Sequence, residues 1–101
     1  MTAPVDIIIP SLNNRALLEP CLATLLQRTS PAGLFAVRVV NNGDLDSCDW
    51  IDHPMVQIIQ TGGVNLGWEG ALQAALNVSQ APFVCFLNDD THFAHSQPDW
   101  L

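Results

Sequence analysis

The densest group of chemically capable side chains is Asn88-Asp89-Asp90, which follows directly on the apolar stretch Phe83-Val-Cys-Phe-Leu87. Two adjacent carboxylates after a buried strand repel one another, and each needs hydrogen bonds or a cation to stay ionised there. Hard divalent ions such as Mg²⁺ or Mn²⁺ take carboxylate oxygens and fill their remaining positions with water and phosphate oxygens. The triplet therefore points to a metal that bridges the protein and a diphosphate. A plain solvated turn competes with this, because asparagine and aspartate are also good turn formers. His92 and His95 lie just beyond and are read as incidental, and His53, before Pro54, as exposed. Gly62-Gly63-Val-Asn-Leu-Gly67 has neither the G-x-G-x-x-G spacing nor the lysine of a P-loop. Its glycines suit a tight turn and a close approach of backbone to ligand.

The charge balance constrains what such a site can hold. Ten acidic residues face three basic ones, for a formal charge of -7, and the three cations are Arg15, Arg28 and Arg38. With no lysine to build a basic stripe, nucleic acid is a poor partner. A phosphorylated ligand would need backbone N–H groups or a divalent cation to offset its charge. A chain of 101 residues that is 49% hydrophobic and 13% charged makes one compact domain rather than two. Its longest apolar run, Val5 to Pro10, falls far short of the roughly 20 residues that cross a bilayer, and Met1 to Val5 shows no secretory signal. Cys21, Cys48 and Cys85 are odd in number and widely spaced, which favours reduced, buried thiols and a cytoplasmic setting.

The elements that must position these residues follow from periodicity. Val5-Asp-Ile-Ile-Ile-Pro10 reads as a strand covered on both faces, as in a parallel sheet. Asn13 or Asn14 is placed to cap a helix whose apolar positions Leu17, Leu18, Cys21, Leu22, Leu25 and Leu26 recur at three- and four-residue spacing, with a kink expected at Pro20. A turn at Pro31-Ala-Gly33 leads to a strand over Phe35 to Val40, and an acidic connection over Asp44 to Asp52 carries at most a helical turn at Cys48 to Ile51. A short strand, Val56 to Ile59, precedes a helix over Leu66 to Val78 with Leu72, Ala75, Leu76 and Val78 inward. Phe83 to Leu87 is the last strand, apolar on both faces. The pattern β-α-β-β-α-β predicts an α/β fold with a mainly parallel sheet and right-handed crossovers. Polar residues gather after the strands, at Ser11 to Asn14, Asn41 to Asp44 and Asp89 to Asp90, the edge where open α/β sheets bind ligands. Ser96, Pro98 and Asp99 look like the opening of a further helix, so residues 1–101 are expected to be a single partial domain, the N-terminal part of something larger.

Taken in order, Val5-Asp-Ile-Ile-Ile-Pro-Ser-Leu-Asn13, Cys21-Leu-Ala-Thr-Leu-Leu26, Val39-Val-Asn-Asn-Gly43 with Asp46, and Asn65-Leu-Gly-Trp-Glu-Gly-Ala71 leading to Phe86-Leu-Asn-Asp-Asp-Thr91 resemble the N-terminal half of a family 2 glycosyltransferase. The resemblance spans nearly the whole chain. It implies the Rossmann-like GT-A fold of nucleotide-diphospho-sugar transferases, here truncated. It also implies that Pro10 and Ser11 line the nucleobase and ribose, with Asn13 in the same loop. Asn41 stands where the family usually has an aspartate that contacts the base. Asn65 and Gly67 match an Asn-x-Gly that faces the sugar nucleotide. Asn88, Asp89 and Asp90 match the D-x-D motif, with Asp90 and Asn88 as metal ligands for Mg²⁺ or Mn²⁺. Asn88 departs from the motif's first aspartate, although an Asn-x-Asp-Thr version is similar to what rhamnosyltransferase-like members carry. The resemblance places the catalytic base in the family's C-terminal half, and so beyond Leu101.

The expected function is transfer of a hexosyl or deoxyhexosyl group from a nucleotide-diphosphate sugar to a hydroxyl acceptor. This chain would supply the donor and metal site, without the catalytic base and inactive alone. Membrane association would belong to a longer protein. Two other classes stay open: a non-catalytic nucleotide-sugar-binding module, and a nucleotidyltransferase, which would be expected to carry a glycine- and lysine/arginine-rich loop after the first strand. The strand Phe83 to Leu87 is expected to leave an apolar edge uncovered and so to promote dimerisation.

Overall fold

The structure is a computed structural model that describes residues 3–29, 31–93 and 100–101. Strand β1 (Val5–Ser11) is followed by helix α1 (Arg15–Arg28), a short 3-10 turn (Ala32–Leu34), β2 (Phe35–Asn41), β3 (Val56–Gln60), α2 (Gly67–Val78) and β4 (Phe83–Phe86). The four strands form one sheet in the order β3-β2-β1-β4, and every pairing is parallel. The register sets Ile7 beside Val37 and Cys85, and Ile9 beside Val39. Within the described residues, the expected strands and the two helices are present to within a residue at most boundaries. The connection from β2 to β3 stays non-helical: backbone bonds from Ser47 N to Asp44 O, Asp49 N to Asp46 O and Ile51 N to Cys48 O close successive turns.

Alternation along the strands divides the core between the two helices. On one face Ile7, Ile9, Val37 and Val39 pack with Leu18, Cys21, Leu22 and Leu25 of α1, and with Phe93. Leu101 packs against this same cluster, partly buried. On the other face, Ile8 and Val40 meet Ala71 and Ala75 of α2. That second contact differs from the expectation. Leu76 and Val78 are exposed, at 41% and 49%, and Leu72 is only partly buried. Two alanines four residues apart let the helix axis approach the sheet closely, which turns the larger side chains to the flanks. Leu17 of α1 is likewise exposed rather than inward.

Helix α1 runs through Pro20 without a break, and Thr24 Oγ1 donates to the carbonyl of Pro20 at 2.8 Å. Asn14 precedes the helix but makes no side-chain cap; its Nδ2 is instead turned to Asp89, as described below. A polar tie crosses the α2 face. Asp6, almost wholly buried, accepts from Arg38 Nε at 2.7 Å and from Ser79 Oγ just past α2, and Arg38 also reaches Gln57. Asp6 Oδ1 has no partner among the described residues.

Strand β4 pairs only with β1 among the described residues. Phe83 is 67% exposed, and Val84 and Phe86 also face solvent, so β4 leaves an apolar edge uncovered among the described residues, as expected from the sequence. No helix among the described residues is long and apolar enough to cross a membrane. Cys21 and Cys48 are buried, Cys85 is half-buried, and all three are free thiols. Ser96, Pro98 and Asp99 lie outside the described residues.

Candidate donor site

At the carboxyl ends of β1, β2 and β4, a cavity of about 340 Å³ is lined by Pro10, Ser11, Leu12, Asn42, Asn65, Gly67, Trp68, Asn88 and Asp89. Parallel strands bring this about: loops far apart in sequence leave the same edge of the sheet and must meet there. Asp89 is fixed by the loop after β1, where Ser11 Oγ donates to its Oδ2 at 2.9 Å and Asn14 Nδ2 donates to the same oxygen at 3.1 Å. Oδ1 is left for a ligand. Asp90 is exposed beside it, outside the lining of the cavity, and Thr91 N closes a turn onto Asn88 O at 3.2 Å. Beneath this turn the Cys21 thiol donates to Asn88 O at 4.0 Å. Burial first, and then the charges of Asp89 and Asp90, push the Cys21 pKa up to about 11.

The two asparagines after β2 divide their work. Asn41, fully buried, is enclosed in its own loop: Nδ2 donates to Asp44 O at 2.8 Å and Gln60 Oε1 at 3.0 Å, while Oδ1 accepts from Gly43 N and Ser47 Oγ. With these bonds Asn41 shapes the loop from within and stands behind the cavity rather than in its lining. Asn42 is the residue the sequence did not single out. Its Oδ1 accepts from Leu66 N at 2.8 Å, and its Nδ2 donates to Asn65 Oδ1 at 3.0 Å and Gly67 O at 3.3 Å. One side chain thereby ties the end of β2 to the start of α2. Gly67 enters the helix at φ +72°, a left-handed conformation that glycine adopts without a Cβ penalty, and its N–H donates to Asn65 Oδ1 at 2.9 Å.

Asn13 also stands back from the cavity. At φ 48°, its Oδ1 accepts from Asp44 N at 2.9 Å and pins the loop after β1 to the loop after β2. A Cβ at Gly43 would lie 2.2 Å from Asn13 Oδ1, so a larger residue there would displace this side chain. Of the residues expected at the site, Pro10, Ser11, Asn65, Gly67, Asn88 and Asp89 converge on one cavity, and Asn13 and Asn41 support it from behind. Asn14, Asn42, Leu12 and Trp68 were missed. A pair of asparagines after a strand must send one side chain to each side, and that was the signal for Asn42. His53 is exposed and its Nδ1 accepts from Met55 N, His92 is exposed, and His95 lies outside the described residues. Leu101, the residue beyond which the catalytic base is expected, is no part of the cavity lining. It is a packing residue whose apolar side chain has no group able to take a proton, so it has no catalytic role of its own.

Among the described residues no cation lines the cavity. Arg38 is bound to Asp6, and Arg15 is shared between Glu19, at 3.3 Å, and the ring of Trp50, 4.9 Å from its centroid. Among the described residues no group of three His, Cys, Asp or Glu side chains is assembled for a metal. The Asp89 and Asp90 carboxylates are hard oxygen donors of the kind Mg²⁺ takes, which is usually held by one or two carboxylates with substrate phosphates and water completing the shell.

A parallel α/β sheet with a polar cavity outside the carboxyl ends of its strands defines a Rossmann-like ligand-binding domain. Residues 6–98 match the family model for glycosyl transferase family 2, and the chain belongs to that family. Two crystal structures of S. aureus TarS are similar to it. The structure of residues 1–349 has a TM-score of 0.74 at 21% identity, over 91% of this chain and 28% of that one. A longer TarS structure has a TM-score of 0.67 at 21% identity, over 91% and 17%. The likeness shows the fold, which is GT-A, and the chain spans less than a third of the length of either structure it matches. No curated protein matches the chain.

Proposed function

We propose that the chain is the donor-binding part of a glycosyltransferase, which takes a nucleotide-diphosphate sugar together with Mg²⁺ or Mn²⁺ and presents the sugar to a hydroxyl acceptor. One observation carries this: the cavity joins hydroxyl, amide and carboxylate groups from three strand ends and has no cation in its lining among the described residues, so a diphosphate there needs a metal. Asp90 and the open oxygen of Asp89 would hold that ion, with Asn88 beside them, and when bound it would neutralise charge on the departing diphosphate. Ser11 and Asn14 keep Asp89 turned toward the cavity, and Asn42 holds the α2 terminus in place. A hexosyl or deoxyhexosyl donor is favoured, by likeness to rhamnosyltransferase-like members. Removal of the acceptor's proton requires a base, which we place beyond Leu101, so the chain alone binds donor without transferring sugar.

Asn88 in the place of an acid favours a second reading, a non-catalytic nucleotide-sugar-binding module. A nucleotidyltransferase has less support, because Ser11-Leu-Asn-Asn-Arg15 contains no glycine and a single basic residue. Calorimetry of UDP, GDP and dTDP with Mn²⁺ and with chelator tests the metal: binding is expected only with the ion, and Asp90→Ala should abolish it with the fold intact. Equal affinity with chelator would remove the metal from the site. A base-independent failure to bind any nucleotide would remove the donor reading altogether.

A further inference from the structure

Two of the three tryptophans are committed within the fold. Trp50 Nε1 donates to Ser47 O at 3.0 Å and its ring carries Arg15. Trp100 Nε1 donates to Thr29 Oγ1 at 2.7 Å and its ring packs on Phe93, centroids 4.9 Å apart. Trp68 does neither. It is 46% exposed, makes no hydrogen bond or ring contact among the described residues, and lines the cavity. Its backbone is nonetheless among the best anchored in the site, because Asn42 grips Leu66 N and Gly67 O immediately before it and the left-handed Gly67 sets the helix entry. A large apolar ring held in place at a cavity wall, with its own N–H unspent, is built to be covered by a ligand rather than by the protein.

The groups around it narrow the ligand. Asn65 uses its Oδ1 on Asn42 and Gly67, which leaves its Nδ2 available. The Asn88 side chain makes no hydrogen bond among the described residues and stands on a different element, after β4. A nucleobase is read along one coplanar edge, whereas a pyranose ring offers an apolar C–H face and hydroxyls around its whole rim. An aromatic wall flanked by separate amides on two elements matches the second. Asp89, one of the carboxylates proposed to anchor the diphosphate through a metal, lines the same cavity as Trp68, so a sugar joined to those phosphates shares that cavity with the indole. Resting on the donor-site reading, we propose that Trp68 is the specificity-determining residue for the donor's sugar, its indole packing against the C–H face of the pyranose ring.

The test compares wild type, Trp68→Ala and Trp68→Phe for binding of UDP, GDP and dTDP and of their conjugates UDP-glucose, GDP-mannose and dTDP-rhamnose, all with Mn²⁺. Wild type should bind one conjugate more tightly than its parent diphosphate. Trp68→Ala should weaken that conjugate by about tenfold while its parent diphosphate changes little, and Trp68→Phe should restore most of the difference. Circular dichroism establishes that each variant is folded, and quenching of tryptophan emission by the conjugate should be lost in Trp68→Phe. Equal weakening of conjugate and diphosphate would put the base on Trp68 and overturn the proposal, as would no weakening of either. A wild type that binds diphosphates but gains nothing from any sugar overturns the proposal and leaves the donor site standing. A wild type that binds neither overturns both.

Discussion

Cys21 shows how far a single side chain's environment extends. Its thiol sits under the Asn88 turn, and burial together with the nearby Asp89 and Asp90 charges raises its pKa from the ordinary 9.0 to about 11. A raised folded-state value means that the neutral thiol's contribution is complete below pH 9 and is lost as pH climbs toward 11. Unfolding free energies from denaturant titrations across that interval should fall, by about 2 kcal/mol attributable to this residue. Cys21→Ala should lack that part of the fall, and an equally steep decline in the variant would assign it to another group. At this scale the sequence was informative where chemistry follows from residue type alone. That Ser11 and Asp89 gather at one edge of the sheet was legible, because polar residues that follow buried parallel strands leave by the same end. The enclosure of Asn41 was not legible, since an asparagine's partners depend on which side of the strand end it faces, and Gln60 and Ser47, which enclose it, come from elsewhere in the chain.

The elements themselves were legible because a parallel sheet writes itself as apolar runs punctuated by turn formers. Their contacts were harder to read: α2 carries leucine as well as alanine on its apolar side, yet it docks through Ala71 and Ala75. The polar tie between Asp6, Arg38 and Ser79 was also invisible, because it joins residues 73 positions apart. It supports a prediction. Arg38→Met leaves Asp6 buried without its countercharge and should destabilise the fold by about 3 kcal/mol. Arg15→Met removes an exposed pair and should cost less than about 1 kcal/mol. Urea unfolding of both variants checks the ranking, and similar losses would show that the buried pair is no more important than the surface one.

Seen whole, the molecule places its chemistry at one end of the sheet and an uncovered apolar margin along one side. Phe83, Val84 and Phe86 on β4 lie open, with no lysine, proline or charge within the strand to discourage pairing. The 101-residue chain is therefore expected to self-associate through β4, with its charge of -7 opposing the association at low salt. Sedimentation across a salt series should show dimer or larger species increasing with ionic strength, and Val84→Lys should reduce them. A stable monomer at high micromolar concentration and high salt would rule this out.

The hold that Asn42 keeps on α2 also bears on how the protein ages. Asn-Gly is the dipeptide most prone to spontaneous deamidation, in which the following backbone nitrogen attacks the side-chain carbonyl. Here the Gly43 N–H is engaged with Asn41 Oδ1 at 3.1 Å, and the Asn42 amide is held by Leu66, Asn65 and Gly67. Folding thus shields the bond most susceptible to chemical wear. Each excursion to an open state exposes it again, and conversion to aspartate would turn a donor into an acceptor opposite Asn65 Oδ1 and Gly67 O. The lesion would release the helix that frames the cavity, so loss of ligand binding on storage should keep pace with local opening of this one loop rather than with global unfolding.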